Sequence, residues 1–298
     1  MTKTYRYKAF GVVFESTFKI PELIPCDLVP EITIKTGKTP KTLNRPGGIG
    51  VNFQASKNEF LLKHDPVGNY YVSNGNKILV ETVKKTIDSE TRLFLLGSAF
   101  GALFIQRGLI PIHGSAIKTG NSATIFSGPS GAGKSSIAAC LIQEGFRILS
   151  DDISVINNKN EVAPGYPKMK IWEDVLNKLK IPKTNLLKIR PSMEKFHYPY
   201  TENFYNNPLK VKRIIIINSK NTPGFELEQL NGIAKYNAVR HNTYRYRFFE
   251  GLNKQQNHFI LLNKLLPTIE VFRILRPQAP VALNEFTNFL KSNKLLND

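Results

Sequence analysis

The chain has 298 residues, and 41 Lys plus Arg against 23 Asp plus Glu leave it a formal charge of +18. A hydrophobic share of 41%, with 19 Phe and 11 Tyr, is enough apolar material to offset chain entropy, which excludes a disordered basic tail or a low-complexity protein. Two cysteines far apart in sequence, Cys26 and Cys140, exclude a disulfide framework and a thiolate zinc site, and predict a reducing, cytoplasmic setting.

Residues 1–87 read as a small β-rich domain. Tyr5, Tyr7, Phe10, Val12 and Phe14 alternate in part with polar residues, and Pro21, Pro25, Pro30, Pro40 and Pro46 punctuate the stretch beyond them. Gly47-Gly48-Ile49-Gly50 lacks the Lys and the strand-to-helix setting of a phosphate loop and reads as a loop or turn. Further strands are expected at 60–63, 70–73 and 77–82.

A second domain is expected over 88–298. Asp88 or Ser89 caps a helix that is apolar on nearly every face from 93 to 105 and stops near Gly108. Gly97 and Gly101 on this helix predict close approach of another element. The apolar run is shorter than the roughly 20 residues that span a bilayer, and the opening MTKTYRYKAF has no apolar core of a secretion signal, so no membrane partner is expected. Strands at 110–117, 123–127 and 147–149 surround a helix at 134–143, the order of an α/β core. Residues 211–217, with four successive isoleucines from Ile214, read as a strand buried on both faces. The tail predicts helices at 254–266 and 283–296 and a strand at 268–274, with Pro267, Pro277 and Pro280 at the boundaries.

The segment Gly128-Pro129-Ser130-Gly131-Ala132-Gly133-Lys134-Ser135, continued by Ser136, fits G-x-x-x-x-G-K-[ST] in full and lies between an apolar strand and a helix. Glycines at 128, 131 and 133 let backbone N–H groups turn inward as an anion nest, and the helix beginning at Lys134 adds its positive end. Lys134 is expected on the β- and γ-phosphates of ATP or another nucleoside triphosphate, and the Ser135 hydroxyl on Mg²⁺. Downstream, 146–150 leads into Asp151-Asp152, the arrangement in which a strand-end carboxylate holds the metal. One Asp serves the metal in this reading and the other takes the proton of a substrate hydroxyl. His113 gains a catalytic role only if its strand lies beside the γ-phosphate.

Ile112-His113-Gly114-Ser115-Ala116, the phosphate loop, its spacing to Gly145, and Leu149-Ser150-Asp151-Asp152 resemble the catalytic domain of the HPr kinase family of bacterial protein-serine kinases. That domain is related in fold to ATP-type phosphoenolpyruvate carboxykinase. The close resemblance covers about 95–172, and the glycine-rich signature that comes after the acidic pair in HPr kinases is not found. Phe10-Gly-Val-Val-Phe-Glu-Ser16, Ile20-Pro-Glu-Leu23, Pro164-Gly-Tyr-Pro-Lys168 and Ile171-Trp172 resemble a divergent branch that includes lasso-peptide kinases, which phosphorylate a precursor peptide on its C-terminal Ser. The resemblance implies an α/β phosphate-loop kinase fold. It also implies His113 near the γ-phosphate, Asp151 as base and Asp152 with Ser135 on the metal side, with a peptide or protein substrate and a homo-oligomer.

Lys168 and Lys170 lie close enough after the acidic pair to contact phosphate or an acidic peptide. Among Arg240, Arg245 and Arg247, strand alternation would place the last two on one face, and Arg245 is the choice for an arginine finger. The expected function is an ATP- and Mg²⁺-dependent serine kinase. A small-molecule phosphotransferase and a nucleotide-dependent switch without an acceptor are the alternatives. The basic residues are scattered, without a polybasic block or base-stacking motif, so their excess is read as a surface for polyphosphate and an acidic or phosphorylated peptide, not for nucleic acid.

Overall fold

The computed structural model describes residues 3–84, 86–190, 192–278 and 282–297, so Pro280 lies outside the described residues. The protein is of mixed α/β class and divides into two compact units, residues 1–111 with 244–261, and residues 112–243 with 262–298. The sequence predicts a border after residue 87. The helical segment beyond that point instead belongs with the first sheet, because its all-round apolar surface is buried there: the Tyr70 hydroxyl donates to the Thr91 carbonyl at 2.8 Å, and Phe100 stacks on Phe14 at 4.7 Å.

The first unit is built on a nine-stranded sheet among the described residues, running from the Ile24–Pro25 edge to the Gly48–Ile49 edge. Tyr5–Ala9 and Val12–Ser16 form its first hairpin through Phe10 and Gly11, both with positive φ, as a two-residue turn matched to strand twist requires. Gly48, expected in a loop, lies in a short strand. A Cβ there would come within 2.5 Å of the Gly251 Cα, a separation that only glycine allows.

Asp88 caps the helix as expected, accepting from the Thr91 N–H at 2.8 Å. The helix is not uniform: Ser89–Phe94 and Phe100–Gln106 are α-helical, with a π-turn over Leu95–Ala99 between them. Tyr244 fills the space left by Gly97 and Gly101; a Cβ on Gly101 would meet its ring at 2.9 Å. No described helix is long and apolar enough to cross a membrane.

The second unit centres on a mixed sheet. Ser122–Ser127 runs parallel to Leu209–Lys220, which runs parallel to Glu270–Pro277, while Gly114–Thr119 is antiparallel to Ser122–Ser127 on its other side and to Ile148–Ser150 beyond. Ile214 to Ile217 are buried, as expected of a strand covered on both faces. The three parallel strands end on one edge, and ligands of α/β sheets bind in the crevice outside such carboxyl ends. A separate two-stranded ribbon pairs Lys168–Trp172 with Lys195–Pro199.

Arg240 lies in the last turn of the helix Gly232–His241, and Arg247 opens the helix Arg247–Gly251. Arg245 sits between them in a turn with φ 52°, so the strand alternation expected for this cluster does not occur. With one helix ending at His241 and another beginning at Arg247, the connection has no room for an extended run.

Candidate active site

The phosphate loop leaves the strand Ser122–Ser127 and enters the helix Lys134–Gln143 through Gly133 in the left-handed region, φ 102°. Gly128 makes the tighter turn: its φ is 140°, and a Cβ would lie 2.3 Å from the Ile217 carbonyl oxygen of the neighbouring strand. Beside Gly131 and Gly133 nothing approaches within 4 Å of where a Cβ would stand, so the space they face is open. Lys134 is buried inside the loop, its ammonium donating to the Gly128 and Pro129 carbonyls, each at 2.9 Å. Burial pushes its pKa down, partly opposed by the Asp151 charge.

The sheet register brings the other groups here. Gly114 pairs with Ser127, so the residue before Gly114, His113, stands at the start of the loop, fixed by a 2.8 Å bond from the Ser127 hydroxyl to its carbonyl. Ala116 pairs with Ser150, so Asp151 emerges opposite Ser115. Buried Asp151 accepts from Ser115 Oγ at 2.6 Å and from Ser135 Oγ at 3.0 Å on the same oxygen, while the Lys170 N–H reaches its second oxygen at 3.3 Å.

Asp152 faces elsewhere because its backbone is left-handed, φ 70°, which breaks the strand at Ser150. Its carboxylate is paired with Lys170 Nζ at 2.7 Å and lies 3.6 Å from His113 Nδ1. Burial would raise its pKa, but the Lys170 ammonium beside it holds it well below the usual carboxylate range. His113 Nδ1 also lies 2.9 Å from the Asp152 carbonyl; a carbonyl only accepts, so Nδ1 carries the proton. Burial lowers the His113 pKa against the pull of the Asp152 charge, leaving a neutral ring whose Nε2 is an acceptor.

His113, Lys134, Ser135, Asp152 and Lys170 line a cavity of about 420 Å³ bounded by residues 130–136 of the phosphate loop, the Lys168–Trp172 strand and the start of the helix Leu283–Ser292, with Asp151 behind Ser135 and not among the lining residues. The family resemblance implies Asp152 with Ser135 on the metal side. The structure puts Asp151 against Ser135 instead, since the left-handed turn at Asp152 sends its side chain toward the ribbon. Ser130, Gly131, Ala132, Gly133, Lys134, Ser135 and Ser136 all line the cavity with His113 and Asp152, whereas Arg245 is not among its lining residues and has its guanidinium 5.7 Å from the Tyr244 ring centre. Lys168 shares a ribbon face with Lys170, but only Lys170 lines the cavity.

Three residues at the site have no role assigned from sequence. Ser115 lies in a motif already noted, but its bond to Asp151 depends on strand register. Lys195 is brought to the cavity by the ribbon. Arg276, at the carboxyl end of Glu270–Pro277, donates to the Ala132 carbonyl at 3.1 Å and the Gly131 carbonyl at 3.4 Å. These two bonds tie the loop to the neighbouring strand through its carbonyls. No local sequence pattern announces Arg276.

The residues fit a magnesium nucleotide. Mg²⁺ takes few protein ligands and completes its shell with phosphate and water, and Ser135 with Asp151 offers such a pair. Among the described residues no group of three or more His, Cys, Asp or Glu forms a metal cage.

No protein-family model matches the chain, and no curated protein matches it. Among solved structures it is similar to the HPr(Ser) kinase/phosphatase from Coxiella burnetii, at 12% identity over 62% of this chain and 96% of that one, with a TM-score of 0.30. A score that low leaves function to be argued from the residues themselves.

Proposed function

We propose that the chain is an ATP- and Mg²⁺-dependent phosphotransferase that moves the γ-phosphoryl group to a hydroxyl, most specifically a Ser hydroxyl of a peptide or protein. The observation that carries this reading is the divergence of the two adjacent carboxylates: Asp151 turned to the phosphate-loop Ser135, Asp152 turned to Lys170 and His113. A nucleotide switch needs only the first.

In this reading Lys134 and the loop N–H groups bind the triphosphate, and Ser135 with Asp151 holds the metal. Bound Mg²⁺ supplies charge neutralisation on the phosphate oxygens. Asp152 receives the acceptor hydroxyl: its proton passes to the carboxylate as oxygen bonds to the γ-phosphorus and the β–γ bridging bond breaks, leaving the nucleoside diphosphate. Lys170 orients Asp152, and the His113 Nδ1–H holds the left-handed backbone that aims it. Most of the rate enhancement is positioning and electrostatic, as the loose transition state of phosphoryl transfer demands.

The motif-level resemblance to HPr kinases supports a Ser acceptor, and the similarity of flanking segments to lasso-peptide kinases supports the C-terminal Ser of a precursor peptide. Incubation with γ-labelled ATP, Mg²⁺ and a panel of Ser peptides should transfer label in the wild type and not in Asp152→Asn. Label passing only to a small metabolite would replace the peptide with that metabolite, and ATP hydrolysis with no labelled acceptor would favour a switch.

A further inference from the structure

The cavity holds a cation that the phosphotransferase reading leaves without work. Lys134 lies inside the phosphate loop, Arg276 is tied to loop carbonyls, Lys170 is engaged by Asp152, and Lys178 is paired with Asp174 at 3.7 Å. Lys195 lines the same cavity, and among the described residues its ammonium makes no hydrogen bond or ion pair.

Its position comes from the ribbon. Trp172 pairs with Lys195 and Lys170 with His197, and side chains of paired residues and of residues two apart share a face, so Lys170, Trp172 and Lys195 project together. The opposite face, with Met169, Ile171 and Phe196, is buried and fixes which way the cations point. Trp172 is 45% exposed, and the Lys195 ammonium lies 5.4 Å from its ring centre, a cation–π contact that holds the charge in place without neutralising it. Burial lowers the Lys195 pKa, and the charges of Asp152 and then Asp151 oppose that shift.

A half-buried ammonium that makes no hydrogen bond or ion pair of its own is costly unless something bound supplies one. The phosphate side already has its own donors, and Lys195 stands on the ribbon side with Asp152. We propose that Lys195 is the anchor of an acceptor subsite that takes a carboxylate carried within a few bonds of the hydroxyl received by Asp152, with the exposed Trp172 ring as the wall for the rest of the acceptor. One ammonium with no pair of its own matches one negative charge; a phosphate in its place would add a second charge next to the transferring phosphoryl group. The proposal rests on the phosphotransferase reading of the same site and assigns to Lys195 a selectivity for acceptors that carry a carboxylate.

The test is calorimetric titration of the full chain, loaded with a non-hydrolysable ATP analogue and Mg²⁺, with N-acetylserine and with N-acetylserinamide. The acid should bind at least about tenfold more tightly, the size of one hydrogen bond to a charged group. That preference should vanish in Lys195→Met, return in part in Lys195→Arg and shrink with added salt. Equal binding of acid and amide by the wild type, or binding of neither, overturns the proposal, and this comparison needs no variant to fold. Weakened binding of a fluorescent ATP analogue by Lys195→Met also overturns it, because Lys195 would then serve the donor phosphates. Acid-selective binding without label transfer from ATP to any Ser acceptor would keep the subsite and remove the kinase reading.

Discussion

The two walls of the cavity are built by different means. The phosphate-loop wall is local: eight consecutive residues, with glycines where the backbone must be left-handed, fold against the strand before them and the helix after them. The ribbon wall is assembled from a distance, since Lys170 and Lys195 share a face only because two strands separated by 22 intervening residues pair in one register. Chemistry that needs a fixed anion cradle can be written into a short motif; chemistry that must fit a variable acceptor is left to long-range pairing.

The sharpest break between the walls should come from Lys134→Met, which removes the cation inside the loop. Transfer should fall about 10³-fold or more, with nucleotide binding lost in parallel, measured with a fluorescent ATP analogue. Retained nucleotide affinity would mean that the loop amides alone hold the phosphates and that Lys134 acts only in the transition state.

Asp152→Asn probes the other wall. It keeps shape and removes the proton acceptor, so transfer should drop about 10²- to 10⁴-fold while nucleotide affinity stays within about twofold. Asp151→Asn, by contrast, should raise the Mg²⁺ concentration needed for half-maximal nucleotide binding. If the two variants exchanged these signatures, the assignment of Asp151 to the metal and Asp152 to the acceptor would be reversed.

Legibility in the sequence divides along the same line. The G-x-x-x-x-G-K-S spacing locates the loop, its strand and its helix to the residue at Lys134 and Gln143, because every member is set by neighbours along the chain. The adjacency of Asp151 and Asp152 is legible, but the direction each faces is not, since it depends on a left-handed φ at Asp152, which Asp tolerates better than most residues but adopts at few positions. The strand reading around Arg245 fails for the opposite reason: period-2 spacing of arginines suggests a strand, and a turn between two helices produces the same spacing. Lys195 and Arg276 carry no local signal, because strand pairing alone brings them in.

Arg276 tests whether the local wall is as self-sufficient as its sequence suggests. It comes from a strand about 140 residues downstream, yet it bonds the Gly131 and Ala132 carbonyls. Arg276→Gln should weaken nucleotide binding about tenfold, as the loss of charge-assisted bonds to loop carbonyls predicts, with no change in the acceptor KM. Unchanged nucleotide affinity would show that the glycine loop holds its shape unaided.

The smallest expected effect is on pH dependence, and it concerns the residue where the walls meet. His113 bonds the loop strand through its carbonyl and Asp152 through its ring. A solvent-exposed imidazole titrates near 6.5, but burial lowers this one, so it stays neutral where a free ring would already be half charged. The rate of transfer should therefore change less than about twofold between pH 8 and pH 6.5 and fall only below that range. The sign for stability is fixed by linkage: below the ordinary pKa the unfolded chain binds a proton that the folded chain does not, so stability declines as pH falls through 6.5 toward the lowered folded value. His113→Asn, which keeps a donor for the Asp152 carbonyl, should abolish that part of the decline in urea midpoints measured at pH 7.5 and 5.5. A midpoint for loss of activity at or above 6.5 in the wild type would show a ring open to solvent, and with it an Asp152 not held by the geometry on which the acceptor side depends.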